Sequence, residues 1–289
     1  MYVLGSLGRW AAFTLGGAAL ACSAEVDPEH GTADAGSTRA VIAITRSAPA
    51  ASPDDARADA FAGFLRTPAG ADAKSALALA GLGLDLPAAG ECRKGARGDS
   101  HVAAGLTAVE LLEAGEVTVA AGGSVTTLAP RAFPTITDSI SGVVYTTRDR
   151  AAAPLPAASA YTVAATGSTS LESLSGFGQA PSLLGSVELG GEPFGSVEQV
   201  PARRELTLAW AAGSAGDRVY VEIGGAAEPT LCTFVDEAGH GAIPASALPT
   251  SGAAAVAVHR LRESAFADAG LAQGALRFDF ELSATVTFE

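Results

Sequence analysis

The C-terminal end of the chain alternates strictly between apolar and polar side chains. The apolar set is Phe278, Phe280, Leu282, Ala284, Val286 and Phe288, and the polar set is Arg277, Asp279, Glu281, Ser283, Thr285 and Thr287. Successive side chains of a β-strand point to opposite faces, so period two predicts a strand with one buried and one exposed face. The chain therefore has to build a sheet that buries this apolar face.

Three further segments before this strand share the same period. Their apolar residues are Leu206, Leu208 and Trp210, then Val219, Val221 and Ile223, then Cys232 and Phe234. Turn-prone residues at 213–217 and 236–241 separate them at the short spacing of an antiparallel sandwich. Residues 200–289 are therefore predicted to form a β-sandwich-like region with these apolar residues, Phe278 and Phe280 facing inward.

The region 39–199 is predicted to be β-rich but looser. Strands are expected at 41–44, 143–147 and 160–164, at 117–119 and 125–128 as a hairpin around Gly122 and Gly123, and near 186–189 within a loop at 168–195. Ser52, Pro53 and the following acids resemble a helix start, and a strand is the alternative for 60–65. The fold class expected is all-β and mainly antiparallel, with one or two short helices.

The N-terminus has the pattern of a secretory signal. Arg9 is followed by an apolar run at 10–21 that ends in small residues and is short for a permanent membrane span. We expect a signal peptide at 1–21 and cleavage before Cys22. The small, polar and acidic residues that follow predict a flexible tether at 22–38.

The sequence Ala19-Leu20-Ala21-Cys22 resembles the lipobox of bacterial lipoproteins, in which the cysteine is acylated. Ala19 departs from the leucine that is usual at this position. The same three residues also fit ordinary signal peptidase, which would cut the same bond and release a soluble secreted protein. Lipidation of Cys22 implies a cell-envelope protein, with the outer membrane as the expected location.

The C-terminal pattern resembles a group of uncharacterised secreted lipoproteins of high-GC Gram-negative bacteria. The resemblance rests on Leu-Thr-Leu-Ala-Trp at 206–210, Val-Tyr-Val-Glu-Ile at 219–223, Cys-Thr-Phe at 232–234, Ile-Pro-Ala at 243–245 and Leu248. It implies a β-sandwich and a cell-envelope setting. It assigns no catalytic residue.

The charge balance limits the partners of the chain. A net charge of −13 disfavours electrostatic binding to nucleic acid or to an anionic membrane surface. Contact with a membrane is therefore expected only through the N-terminal lipid. No cofactor is predicted, and the pattern does not distinguish a protein partner from a glycan.

The sequence contains no Gly-x-Ser-x-Gly, Gly-x-x-x-x-Gly-Lys, His-Glu-x-x-His, Cys-x-x-Cys or Asp-x-Asp-x-Asp-Gly motif. No catalytic residue is therefore assigned. A Ser/His/Asp site assembled by folding would use His101, His240 or His259. Such a site beside a carboxylate or serine would support the alternative function, a secreted hydrolase. The favoured function is a lipid-anchored binding or structural module.

Asp236, Glu237 and His240 place three possible metal ligands in one turn. A solvated turn between strands commonly carries such residues, so they are weak candidates and no metal is predicted.

Cys92 and Cys232 remain once Cys22 is assigned to lipid, since the chain has three cysteines. An oxidising compartment favours a disulfide between them. The alternative is a free core cysteine, because Cys232 is in phase with Phe234. A bond would join the middle region to the C-terminal region and argue against two independent domains.

Overall fold

The computed structural model describes residues 36–95, 109–136, 140–147, 155–225 and 228–289. β-Strands dominate these residues, so the all-β prediction is confirmed. The predicted signal peptide at 1–21, Cys22 and His101 lie outside the described residues. None of the helices among the described residues has the length and apolar character needed to cross a membrane.

Among the described residues, the strands follow the chain from Ser37 to Phe288, and one α-helix, α1, spans Ala73–Leu79. Short 3-10 turns occupy Phe194–Ser196, Asp236–Ala238 and Ala245–Ala247. The strands are β1 (Ser37–Pro49), β2 (Arg57–Thr67), β3 (Cys92–Lys94), β4 (Val109–Leu111), β5 (Val117–Ala121), β6 (Ser124–Ile136), β7 (Ile140–Thr146), β8 (Ala160–Ala165), β9 (Leu174–Gln179), β10 (Glu188–Leu189), β11 (Glu192–Pro193), β12 (Gln199–Val200), β13 (Leu206–Ala209), β14 (Arg218–Gly224), β15 (Thr230–Val235), β16 (His240–Ile243), β17 (Gly252–Phe266) and β18 (Gln273–Phe288).

The large sheet has 14 strands, in the order β3-β15-β14-β17-β18-β1-β2-β4-β7-β6-β5-β8-β9, with β12 paired to β18. Most neighbours are antiparallel. The first and last strands, β1 and β18, run parallel, with Ile44 opposite Phe278. This pairing joins the C-terminal strands to those of the middle region in one continuous sheet.

A four-stranded sheet in the order β11-β10-β13-β16 faces the C-terminal part of the large sheet. The apolar side chains predicted to face inward, other than Phe278 and Phe280, lie in the core between these sheets, which gives this region its sandwich-like architecture. Its buried members include Leu206, Leu208, Trp210, Val219, Val221, Ile223, Cys232, Phe234, Val286 and Phe288.

A second core cluster lies under β1, β2, β5, β8 and β18. Phe278 and Phe280 are buried there, as the alternation predicts, and the ring of Tyr161 lies 5.0 Å from that of Phe278. Because β18 contributes to both clusters, the C-terminal strand holds the two cores together.

The helix predicted to begin at Ser52 is wrong, and the strand alternative for 60–65 is correct. Residues 50–55 form turns, and β2 follows, with Ala60, Ala62 and Phe64 buried in the second core cluster. β2 pairs with β1 along its whole length, so ladder hydrogen bonds and burial outweigh the helix-start signal. The helix that does form, α1, begins at Asp72, whose carboxylate caps Ser75 N–H at 2.8 Å.

The region 168–195 contains more structure than the predicted loop with one strand. β9 forms at 174–179, where Gly176 and Gly178 lie on the buried face. A Cβ on Gly176 would lie 2.9 Å from the ring of Phe266, and one on Gly178 would lie 2.8 Å from Leu276. The glycines that indicate a loop are therefore required for close packing of β9 on the β17–β18 hairpin.

Candidate functional site

A buried polar cluster lies where β14, β17 and β18 run side by side. The Tyr220 hydroxyl donates to Asp279 Oδ2 at 2.6 Å, and His259 Nδ1 lies 2.9 Å from Asp279 Oδ1. The rings of Tyr220 and His259 stack with centroids 4.1 Å apart. Because Tyr220 and His259 are opposite each other in the β14–β17 ladder, the sheet register fixes this geometry.

The His259–Asp279 pair is the arrangement that orients an imidazole in many hydrolases. A carboxylate at Nδ1 places the ring proton there and leaves the lone pair on Nε2. His259 is only 2% exposed, and its Nε2 has no hydrogen-bond partner among the described residues. Asp279 therefore orients the His259 ring as a carboxylate does in a catalytic site, but His259 Nε2 is closed to solvent.

A strap formed by residues 82–95 covers the sheet next to this cluster. Leu84 and Leu86 pack on Tyr220 and its neighbours. Asp85 holds the strap through Lys74 Nζ at 2.5 Å and Arg93 Nη1 at 2.7 Å. The hydrogen bond from Lys74, with that from Arg93, keeps the pKa of the Asp85 carboxyl below its usual value.

Asp236, the first of the three possible metal ligands, is fully buried and paired with a cation. Arg260 Nε lies 2.7 Å from Asp236 Oδ2, and the two side chains are 1% and 0% exposed. The Trp210 indole N–H donates to Asp236 Oδ1 at 2.8 Å. Arg260 also donates to Leu183 O at 2.8 Å. The Asp236 carboxylate therefore neutralises Arg260, and both side chains are buried next to Trp210.

Glu237 and His240 are exposed and do not join Asp236 in a ligand set. His240 Nδ1 lies 2.8 Å from Ala238 O, within the same turn. Across the described ranges, no group of three or more His, Cys, Asp or Glu side chains is placed to hold a metal ion. The turn contributes an internal ion pair and an exposed histidine.

His240 instead lines an open groove of about 590 Å³ beside the small sheet. Its lining residues are Gly90, Glu188, Gly191, Thr207, Leu208, Ala209, Phe234, His240, Gly241 and Ala242. Of these, Glu188 and His240 are the ionisable side chains, and they lie on either side of Ala209 in the sheet register. A groove of this volume is within the range of ligand sites in proteins.

An uncharged surface covers the outer face of β6, β5, β8 and β9. One cross-strand row consists of Val125, Ala120, Thr162 and Phe177, and the next consists of Thr127, Thr118, Ala164 and Ser175. Val125 is 68% exposed and Phe177 is 61% exposed. We call these two rows the uncharged face. Its four strands span about 14 Å at the usual strand spacing.

Cys92 and Cys232 are joined by a disulfide, with their Cα atoms 4.0 Å apart. They are opposite each other in the β3–β15 ladder. The bond attaches the end of the strap to the large sheet.

Two partners in these clusters were missed by the sequence reasoning, and one of them had a signal. Arg260 continues the inward series of Val256 and Val258, so a charged side chain occurs in phase with core residues. This indicates a buried ion pair, because a buried charge requires a partner. Asp279 had no such signal, since it lies on the polar side of the alternation in β18.

Comparison with known proteins gave structural likenesses but no family. No family model and no curated protein matches the chain. A solved structure from work on host cell surface retention of a 1.5-MDa bacterial ice-binding adhesin is 15% identical, with a TM-score of 0.20. The match covers 88% of this chain and 66% of that one, just under two thirds of its length. At this TM-score the likeness supports no inference about function.

Proposed function

We propose that the chain is a binding or structural module of the cell envelope, anchored in the outer membrane by a lipid on Cys22. The observation that carries the binding function is the uncharged face, on a chain with a net charge of −13. The lipid anchor rests on the lipobox-like sequence before Cys22.

The uncharged face has the physical properties of a contact surface. Exposed apolar side chains that are grouped on one surface favour interaction sites, whereas scattered ones need no explanation. Val125 and Phe177 lie at opposite ends of one row, with Ala120 and Thr162 between them. Small side chains in the middle leave room for a partner to contact both ends, and threonine hydroxyls supply hydrogen bonds at the surface.

The placement of the polar clusters also favours binding over hydrolysis. Asp236 and Arg260 form a buried ion pair with each other, so neither faces a substrate. The side chains of His259 and Asp279 are buried. A substrate could reach His259 Nε2 only if the residues that cover it moved away. The alternative function, a secreted hydrolase, requires an opening that exposes this atom.

The uncharged face can be tested with a single substitution. Replacing Phe177 by Ser removes the aromatic ring from the face, and we expect about a tenfold weaker association with the partner surface, since burial of an aromatic side chain contributes roughly 1.5–3 kcal/mol. The measurement is co-sedimentation of the Cys22→Ser chain with isolated peptidoglycan sacculi and, separately, with outer-membrane vesicles of the source bacterium. Cys22→Ser prevents sedimentation through the lipid.

Val235→Ser is the matched control, because Val235 is 42% exposed and lies outside the uncharged face. It should leave co-sedimentation unchanged. Equal loss in both variants, or no co-sedimentation of the parent chain with either material, would overturn the proposed binding function. Hydrolysis of an ester, amide or glycoside substrate that is abolished in a folded His259→Gln variant would favour the hydrolase instead.

A further inference from the structure

The outer edge of β16, at the end of the small sheet, carries unpaired backbone groups. Trp210 N–H donates to Gly239 O at 2.9 Å, which fixes the ladder between β13 and β16. In an antiparallel ladder every second residue faces the partner strand, so Gly241 faces β13. The N–H and C=O groups of His240 and Ala242 therefore point away from the sheet.

These outward groups are accessible. His240 and Ala242 are exposed, and within the described part of the chain β16 pairs only with β13. The 590 Å³ groove includes His240, Gly241 and Ala242 of β16 among its lining residues, together with Gly90. Gly241 packs closely on the ring of Phe234, where a Cβ would lie 2.5 Å from it.

The outer edge of β9, at one end of the large sheet, differs because side chains bind its outward backbone groups. Asp268 Oδ2 accepts from Ser175 N–H at 2.9 Å, and Arg262 Nη1 donates to Gln179 O at 3.2 Å. Side chains of the β17–β18 hairpin thus cap the backbone groups that a strand would use. An unprotected edge is a template for pairing with another chain, and proteins usually block it as β9 does.

The charge around the β16 edge selects the side chains of a partner. Glu188 lines the groove on β10, two strands away from β16, and no Lys or Arg is among the lining residues of the groove. Glu91 follows the groove residue Gly90, and Glu237 lies in the turn before β16, both exposed. A basic segment gains favourable electrostatic interactions at this edge, whereas an acidic one is repelled.

We propose that the edge of β16 binds an extended peptide segment carrying Lys or Arg side chains, which adds to the small sheet as its next strand. Backbone hydrogen bonds to His240 and Ala242 supply affinity, and the acidic surroundings supply selectivity. This site is separate from the uncharged face and goes beyond the proposed function, so the two are tested by different variants.

The test uses the mature chain with Cys22→Ser and a fluorescein-labelled hexapeptide of alternating Lys and Val, measured by fluorescence polarisation. We expect binding of this probe, at least tenfold weaker binding of the Glu/Val hexapeptide, and loss of binding when every backbone nitrogen of the Lys/Val probe is methylated. Ala242→Pro removes one outward N–H and should raise Kd about tenfold, whereas the control Ala242→Ser, which keeps it, should not.

Amide hydrogen exchange on the unsubstituted chain gives a readout that does not depend on the folding of a variant. The amides of His240 and Ala242 should exchange at least tenfold more slowly with saturating Lys/Val probe. Unchanged exchange, equal binding of the Glu/Val probe, or no binding at millimolar concentration would overturn the proposal. Self-association in sedimentation that is lost in Ala242→Pro would also overturn it, since the occupant would then be a second copy.

Discussion

Arg260 is the largest fully buried side chain among the described residues. It is placed between two sheets by strand β17 and neutralised by Asp236, which comes from the turn before β16. A buried ion pair contributes little net stability compared with apolar packing, but removal of one partner leaves an uncompensated charge in the core. The turn at 236–238 is therefore needed because it supplies the carboxylate that neutralises Arg260.

Asp236→Ala should lower the free energy of unfolding by about 3–5 kcal/mol, because Arg260 would remain buried without its counter-charge. Urea unfolding followed by the fluorescence of Trp210 measures this loss directly, since the Trp210 indole also donates to Asp236.

Glu237→Ala serves as the control for this prediction, since Glu237 is the exposed neighbour in the same turn. It should change stability by less than about 0.5 kcal/mol. Similar effects of the two substitutions would show that the turn, and not the ion pair, determines stability.

At the residue scale, the sequence predicts which side chains are apolar and inward but not which polar residues meet. Leu206, Leu208 and Trp210 are buried as the alternation predicts. His259, Asp279 and Tyr220 come together because three strands are adjacent in the sheet, and strand order is not encoded in the local period. Residues that are distant in sequence can be assigned to one cluster only when the pairing is known.

At the scale of elements, β17 is a strand that the alternation of apolar and polar residues does not predict. It spans Gly252–Phe266, but its first half is rich in alanine, which has low strand propensity and little hydrophobic contrast with its neighbours. No strand was predicted there. The strand forms because β14 and β18 pair with it on both sides. Strands with clear contrast, such as β5, β8 and β14, are confirmed close to their predicted positions.

The disulfide between β3 and β15 gives a prediction at this scale. The Cys92→Ala/Cys232→Ala chain should lose on the order of 5 kcal/mol of unfolding free energy, because the bond closes a loop with a sequence separation of 140 residues. Chemical unfolding of this variant and of the Cys22→Ser chain, both without reductant, provides the comparison.

Thiol titration of the unfolded, unreduced Cys22→Ser chain checks the bond itself. No reactive thiol is expected. Two reactive thiols would mean that Cys92 and Cys232 are free in the protein and that their proximity reflects packing in the β3–β15 ladder.

At the scale of the whole molecule, the proposed lipid anchor predicts that Cys22 alone of the three cysteines carries a fatty acid. Fatty-acid labelling in a Gram-negative host should mark the full chain, and Cys22→Ser should abolish the label because no other residue of the motif carries a thiol. The Cys92→Ala/Cys232→Ala chain is the control and should retain it. Absence of label from the unsubstituted chain would leave a secreted protein without a lipid.

The parallel pairing of β1 with β18 has a consequence for how the protein is made. β1 begins at Ser37 and its partner β18 begins at Gln273, so one side of β1 stays unpaired until β18 has been synthesised. Contacts of such sequence separation slow folding. A premature stop codon anywhere before residue 273 removes the strand that joins β17 to β1. Products truncated before β18 should therefore be degraded as unfolded chains, and a nonsense mutation within β17 should be as severe as one within β1.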